Sequence, residues 1–216
     1  EYITVSAESE EGVITLKPEN IPYEEAAALP VGGLEALYFM RKANIQQGDK
    51  VLIVGAGGSI GSYAIQLAKF FGAEVTGVDN TKKQTLMQEV GADHVIDYTQ
   101  VDFTQRNETY DVIFDVIGKS HYSGSLSKLN TGGRYVLANP GMSDVIRGKF
   151  TGGASNKQVI TGQVPQREDD LKYLLNLIET GTIRVVIDRC YPLSQTADAH
   201  HYVETQGKQG NVVLTV

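Results

Sequence analysis

The chain has no tryptophan, one cysteine, six prolines and no excess of basic charge, and these shortages close off several classes of function. Cys190 alone cannot form an intrachain disulfide, a Cys-x-x-Cys redox pair or a thiolate cage for zinc. Such usage fits a reducing compartment, and the cytoplasm is the expected location. Nineteen basic against twenty-six acidic residues give a net charge of -7. Lys and Arg are scattered along the chain, so the footprint of a nucleic-acid binder is missing and nucleic acid is not an expected partner. No uncharged run matches the roughly 20 apolar residues of a membrane helix. The longest, Val51 to Leu67, is broken by four glycines and two serines, so a membrane is not an expected partner either. No basic-then-apolar leader is visible, and Glu1 is not an initiator Met, so residues preceding it are expected.

Glycine, by contrast, is plentiful: twenty-three residues of 216, above the usual ~7%. Glycine costs conformational entropy and is kept where a backbone turns or approaches a ligand. Short β-branched runs recur with helical stretches between them, which predicts crossover units and a parallel sheet. The expected strands are Val51 to Val54, Glu74 to Val78, His94 to Asp97, Asp111 to Val116, Arg134 to Ala138 and Gln158 to Thr161. Helices are expected over Leu34 to Ala43, Ser59 to Phe71, Lys82 to Val90, Tyr122 to Leu129, Glu168 to Glu179 and Thr196 to Glu204. At the ends, Tyr2 to Val5, Gly12 to Leu16, Arg184 to Ile187 and Val212 to Val216 read as short strands with edges that need cover.

The run from Val51 to Gly61 is a buried strand entering a glycine turn that opens a helix. Unpaired N–H groups and the positive dipole end at such a helix start can hold a pyrophosphate. The glycines follow G-x-x-G-x-x-G at Gly55, Gly58 and Gly61, not the strict G-x-G-x-x-G, because Ile60 stands where its third glycine would fall. Three glycines alone are weak evidence. Their weight comes from the strand before, the helix after, and Asp79 ending the next strand eighteen residues beyond Gly61. Gly55, Gly58, Ser59, Ile60 and Gly61 are therefore candidate dinucleotide contacts, with Asp79, Asn80, Lys82 and Lys83 near the adenosine ribose. The alternative role for Asp79 is to cap the helix that follows. Val116, Ile117, Ala138 and Asn139 follow the fourth and fifth strands, at the carboxyl edge where ligands of doubly wound sheets sit, and are candidate nicotinamide and ribose contacts.

Five ordered motifs point to a family: Ala26-Ala-Ala-Leu-Pro-Val-Gly-Gly-Leu-Glu-Ala-Leu, the turn followed by Ala64-Ile-Gln-Leu-Ala-Lys, Gly91-Ala-Asp-His-Val-Ile-Asp-Tyr, Asp111-Val-Ile-Phe-Asp-Val, and Gly132-Gly-Arg-Tyr-Val. Together they resemble the medium-chain dehydrogenase/reductase superfamily, and most of all its zinc-independent quinone oxidoreductase branch. The resemblance implies an α/β Rossmann fold, doubly wound on a mainly parallel six-stranded sheet, with remnants of a GroES-like barrel at both ends. Residues 1–22 would belong to that barrel, 23–183 to the dinucleotide-binding domain, and 184–216 to a segment returning to the barrel. Tyr98 matches a family position lining the adenosine pocket. A homodimer through the Gln158 to Thr161 edge is also implied.

Val31 stands where zinc-dependent members carry a cysteine ligand, and His94, His121, His200 and His201 form no replacement cluster, so no metal site is expected. Tyr38 and Lys42 match the spacing of a short-chain dehydrogenase pair but lie upstream of the turn, the wrong place for it. Glu35 replaces the family's usual threonine near the nicotinamide. A buried carboxylate there could give up a proton, although an exposed helix glutamate is the plainer reading. Cys190 has no activating neighbour, and no catalytic residue is assigned.

The expected activity is hydride transfer from NAD(P)H to a small carbonyl compound or quinone. The alternatives are a cofactor-dependent binding module without turnover and a zinc-type alcohol dehydrogenase. Asp79 favours NAD over NADP, because a carboxylate binds ribose hydroxyls and repels a 2′-phosphate. Thr81, Lys82, Lys83 and Tyr98 argue the other way, and Gln206 stands where relatives place a phosphate-assisting arginine.

Overall fold

Val51, Leu52, Ile53 and Val54 are all buried, and alternate residues join two different clusters: Val51 and Ile53 on one side, Leu52 and Val54 on the other. Side chains alternate across a strand, so β1 (Lys50–Val54) must be covered on both faces. The computed structural model describes residue 4 and residues 12–118, 120–151, 156–205 and 207–216. Around β1 the strands β2 (Glu74–Asp79), β3 (His94–Asp97), β4 (Tyr110–Asp115), β5 (Leu129–Leu137) and β6 (Gln158–Ile160) form one parallel sheet in the order β3-β2-β1-β4-β5-β6. The expected doubly wound Rossmann sheet is thus present. The chain reverses direction across the sheet between β1 and β4, which opens the crevice where such folds bind ligands.

The larger core lies on the face covered by α1 (Tyr23–Ala28), α2 (Pro30–Lys42), α3 (Ser59–Phe70), α4 (Gln84–Glu89) and α7 (Glu168–Glu179). Helix α3 presents Tyr63, Ala64, Leu67 and Ala68 to this core and ends where Gly72 takes φ +88°. The opposite face carries α5 (Tyr122–Ser127) and α6 (Met142–Thr151).

Several expected bounds move. Helix α2 begins at Pro30, four residues earlier than Leu34, since proline is at ease in a first helical turn. The helix expected from Lys82 splits into a 3₁₀ turn (Thr81–Lys83) and α4, with the Asn80 side chain accepting the Lys82 N–H at 3.1 Å. Helix α5 stops at Ser127 and β5 starts at Leu129, because Leu129 pairs with Tyr110 before a register shift carries the strand on to Arg134. Helix α6 was not legible: Met142 and Ile146 are exposed at 82% and 54%, so no apolar stripe marks it.

At the far end β7 (Ile187–Pro192) and β8 (Asn211–Thr215) form a separate parallel pair beside α8 (Thr196–Thr205). Arg184 to Val186, expected as strand, is irregular: the Gln66 side chain takes both backbone groups of Arg184, and Val186 O accepts from Asn211. Gly12 to Leu16 is also not a strand, for no strand pairs with it among the described residues, and Ile14 and Leu16 are exposed. The strand expected over Tyr2 to Val5 lies outside the described residues apart from Thr4, as does Gln206.

Candidate functional site

Gly55 leaves β1 with φ +82°, and the N–H groups of Gly55 and Ala56 both bond to Val78 O, at 2.9 and 3.2 Å, locking the turn to β2. A Cβ on Gly61 would lie 2.6 Å from two backbone atoms of Ala56, so only glycine lets α3 start this close to the strand. Above Gly58 the nearest atom to a Cβ would be Gly55 O at 3.5 Å, which leaves that side open. No side chain caps α3, so its first N–H groups and the positive end of its dipole face the opening.

That opening is a groove of about 480 Å³. Of the expected contacts, Gly55, Gly58, Ser59, Ile60, Asp79, Lys83, Val116 and Ile117 form its walls. Gly61, Asn80, Lys82, Tyr98, Ala138 and Asn139 do not. Gly61 is behind the turn, while Tyr98, 54% exposed, follows β3 and bonds Asp79 O through its N–H at 3.1 Å.

Asp79 is 4% exposed and faces inward. It accepts the Gly57 N–H at 3.0 Å and the Asn80 N–H at 2.9 Å, and Lys83 Nζ stands 3.3 Å from each carboxylate oxygen. The carboxylate therefore braces the glycine turn and is half of an ion pair. It does not cap the following helix, a part taken by Asn80. Thr81 Oγ1 donates to Asp97, a further tie between the β2 and β3 ends.

Two features escaped the sequence reading. Asp115, fully buried at the end of β4, accepts from the N–H groups of Ile117 and Gly118 at 3.0 and 2.8 Å, from Ser120 Oγ, and from Tyr135 OH at 3.2 Å. It moulds the loop that carries Val116 and Ile117. Asn139 then ties the β5 loop to this one by donating to Val116 O at 2.8 Å. The available signal was an aspartate ending an otherwise apolar strand. Lys208 is the second: it reaches the groove from the C-terminal segment, with Nζ 2.7 Å from Ser59 Oγ. No local pattern announces a contact across 149 residues.

Other tempting residues lie elsewhere. Lys42 Nζ donates to Tyr38 OH at 2.8 Å and to Thr161 O at 2.9 Å, beside β6 and away from the groove. Glu35 is half-buried on α2, and burial raises its carboxyl pKa. Cys190 is exposed. Val31 lies on the groove wall, and among the described residues no three His, Cys, Asp or Glu side chains converge as a metal site would require.

Residues 90–214 match the family model described as zinc-binding dehydrogenase. The chain belongs to the medium-chain dehydrogenase/reductase superfamily. Among its superfamily relatives, the 2-methylene-furan-3-one reductase of Solanum lycopersicum is 34% identical over 209 residues, covering 95% of this chain and 50% of that one. The chloroplastic NADPH-dependent alkenal/one oxidoreductase of Arabidopsis thaliana is 32% identical with the same coverage. The quinone oxidoreductase structure from Coxiella burnetii superposes with a TM-score of 0.85 at 28% identity, over 94% of this chain and 63% of that one. The chain thus spans about half the length of the curated superfamily relatives it matches. The relatives support a nicotinamide cofactor, and the uncapped helix start, the open side of Gly58 and Lys208 Nζ beside Ser59 are groups of the kind that could meet its phosphates. No described helix is long and apolar enough to cross a membrane.

Proposed function

We propose that this chain holds the cofactor of an NAD(P)H-dependent reductase that passes hydride to an enone, a quinone or a related small carbonyl compound without zinc. The observation that carries the reading is the groove over the uncapped start of α3, continuous from Asp79 through the glycine turn to Val116 and Ile117. The bound cofactor supplies the hydride. The chain's own residues bind and orient it. N–H groups at the start of α3 hold the pyrophosphate, the Asp79–Lys83 pair meets the adenosine ribose, and the loops pinned by Asp115 and Asn139 fix the nicotinamide end. Val116 and Ile117 give that end an apolar wall against water. The names of the two plant relatives support the enone class, and Val31 in the cysteine position supports zinc independence.

Asp79 favours NADH, but a 2′-phosphate would meet an ion pair rather than a bare carboxylate, since Lys83 stands 3.3 Å from both oxygens. We therefore assign the chain both cofactors, with NADH preferred by less than about tenfold, or 1.4 kcal/mol. β6 is an edge strand of the sheet and the proposed seam of a homodimer, and the lone thiol supports a cytoplasmic setting. Steady-state oxidation of NADH and NADPH by the full-length protein, with 9,10-phenanthrenequinone and an enone panel as acceptors, tests the reading. Turnover with one of these acceptors is expected. Tight cofactor binding with no acceptor consumed would make the protein a cofactor-dependent binding module instead.

A further inference from the structure

Lys208 is placed by a segment with little freedom. Gly207 and Gly210 both take positive φ, +68° and +70°, and a Cβ on Gly210 would lie 2.6 Å from Val186 O. The Gly210 N–H bonds Gly57 O at 3.0 Å, and the Gln209 N–H bonds Asp188 at 2.9 Å. Between these ties the half-buried Lys208 side chain points at the first residue of α3. Its ammonium donates to Ser59 Oγ at 2.7 Å and to Gly210 O at 2.6 Å, both neutral oxygens. Among the described residues no carboxylate lies within ion-pair distance of it: Asp79 is engaged by Lys83, and Asp188 by the Gln209 N–H and by Tyr202 OH at 2.7 Å.

A partly buried lysine normally has an anionic partner. This one instead adds a positive charge to a helix end that is already positive, with Lys83 nearby as a second cation. Burial and Lys83 push its pKa down, against the smaller pull of Asp188 and Asp79. Both effects would be relieved by a bound anion.

We propose that Lys208 is a direct ligand of the cofactor's pyrophosphate, seated at the start of α3 beside Ser59. This rests on the reading of the groove as a dinucleotide site. Ser59 begins α3, whereas the ribose that would carry a 2′-phosphate belongs with Asp79 and Lys83 at the end of β2. Lys208 therefore serves NADH and NADPH alike and does not choose between them.

The test is calorimetric binding of NADH, NADPH, ADP-ribose and adenosine to the full-length protein and to its Lys208→Gln and Lys208→Arg variants. Lys208→Gln should bind NADH, NADPH and ADP-ribose each about tenfold more weakly or worse, with adenosine and Tm unchanged. Lys208→Arg should recover most of the loss. Raising salt should weaken ADP-ribose binding more steeply in wild type than in Lys208→Gln. Unchanged affinity in Lys208→Gln would overturn the proposal, and so would a loss confined to NADPH or an equal loss in both variants. A wild-type protein that binds none of the three phosphorylated probes would overturn the dinucleotide reading as well.

Discussion

Gly58 and Gly61 lie three residues apart in one turn, yet a side chain would act differently at each. At Gly61 a methyl group would press on Ala56 backbone atoms 2.6 Å away, which cannot yield without moving β1. Gly61→Ala should cost about 3 kcal/mol or more, read as a lowered urea midpoint. At Gly58 the space is open and the backbone, φ -91° and ψ -173°, is extended, so Gly58→Val should fold with a loss below about 1 kcal/mol. Its isopropyl group would stand over the phosphate seat, and cofactor affinity should fall at least about tenfold by calorimetry. Lys83 is the second informative residue. Its stem covers Gly57, so Lys83→Met keeps the packing and removes only the charge. Asp79 is then uncompensated, and a 2′-phosphate about 4 Å from it is repelled by roughly 1 to 4 kcal/mol. The ratio of NADH to NADPH affinity should rise at least about fivefold, measured by titration at one ionic strength. An unchanged ratio would mean that the Asp79–Lys83 pair faces no ribose.

Among the elements, the loop after β4 depends on one side chain. Asp115 takes bonds from three backbone N–H groups, those of Ile117, Gly118 and Ser120, and from two hydroxyls, with no solvent access. An asparagine has one acceptor oxygen and would turn an N–H₂ towards donors. Asp115→Asn should lose about 2 to 3 kcal/mol of stability and raise KM for the cofactor through the displaced Ile117. Tyr135→Phe, which removes one donor, should lose only about 1 kcal/mol. Denaturant titration and KM measurements on both variants check this. That loop also marks the limit of what the sequence makes legible. The six strands were legible because they are short apolar runs bounded by glycine and polar turns. The glycine turn was legible because strand, glycines and helix are contiguous. What stayed hidden were contacts made by single polar residues: Asp115 looked like one more position within a strand, Asp79 gave no sign that it turns inward, and Lys208 joins the site only after the chain has folded.

For the whole molecule, the C-terminal segment returns to the glycine turn. Gly210 bridges to Gly58, and Lys208 reaches Ser59, so residues beyond the sheet complete the groove proposed for the cofactor. That groove is therefore walled by residues from both the sheet and the C-terminal segment of this chain. The substrate side is different: the relatives are about twice as long as this chain. Holding a second reactant in line with the nicotinamide accounts for roughly 7 to 11 kcal/mol of barrier lowering in well-ordered sites. A chain that binds the cofactor without enclosing the acceptor forgoes most of that. The 216-residue chain alone should bind NADH or NADPH with affinity within about threefold of the full-length protein. Its kcat with a quinone acceptor, at saturating cofactor, should be lower by at least about 1,000-fold, a loss of ~4 kcal/mol. Equal turnover numbers would show that acceptor positioning is done by residues already in this chain, with Glu35 and Ile117 the first to substitute.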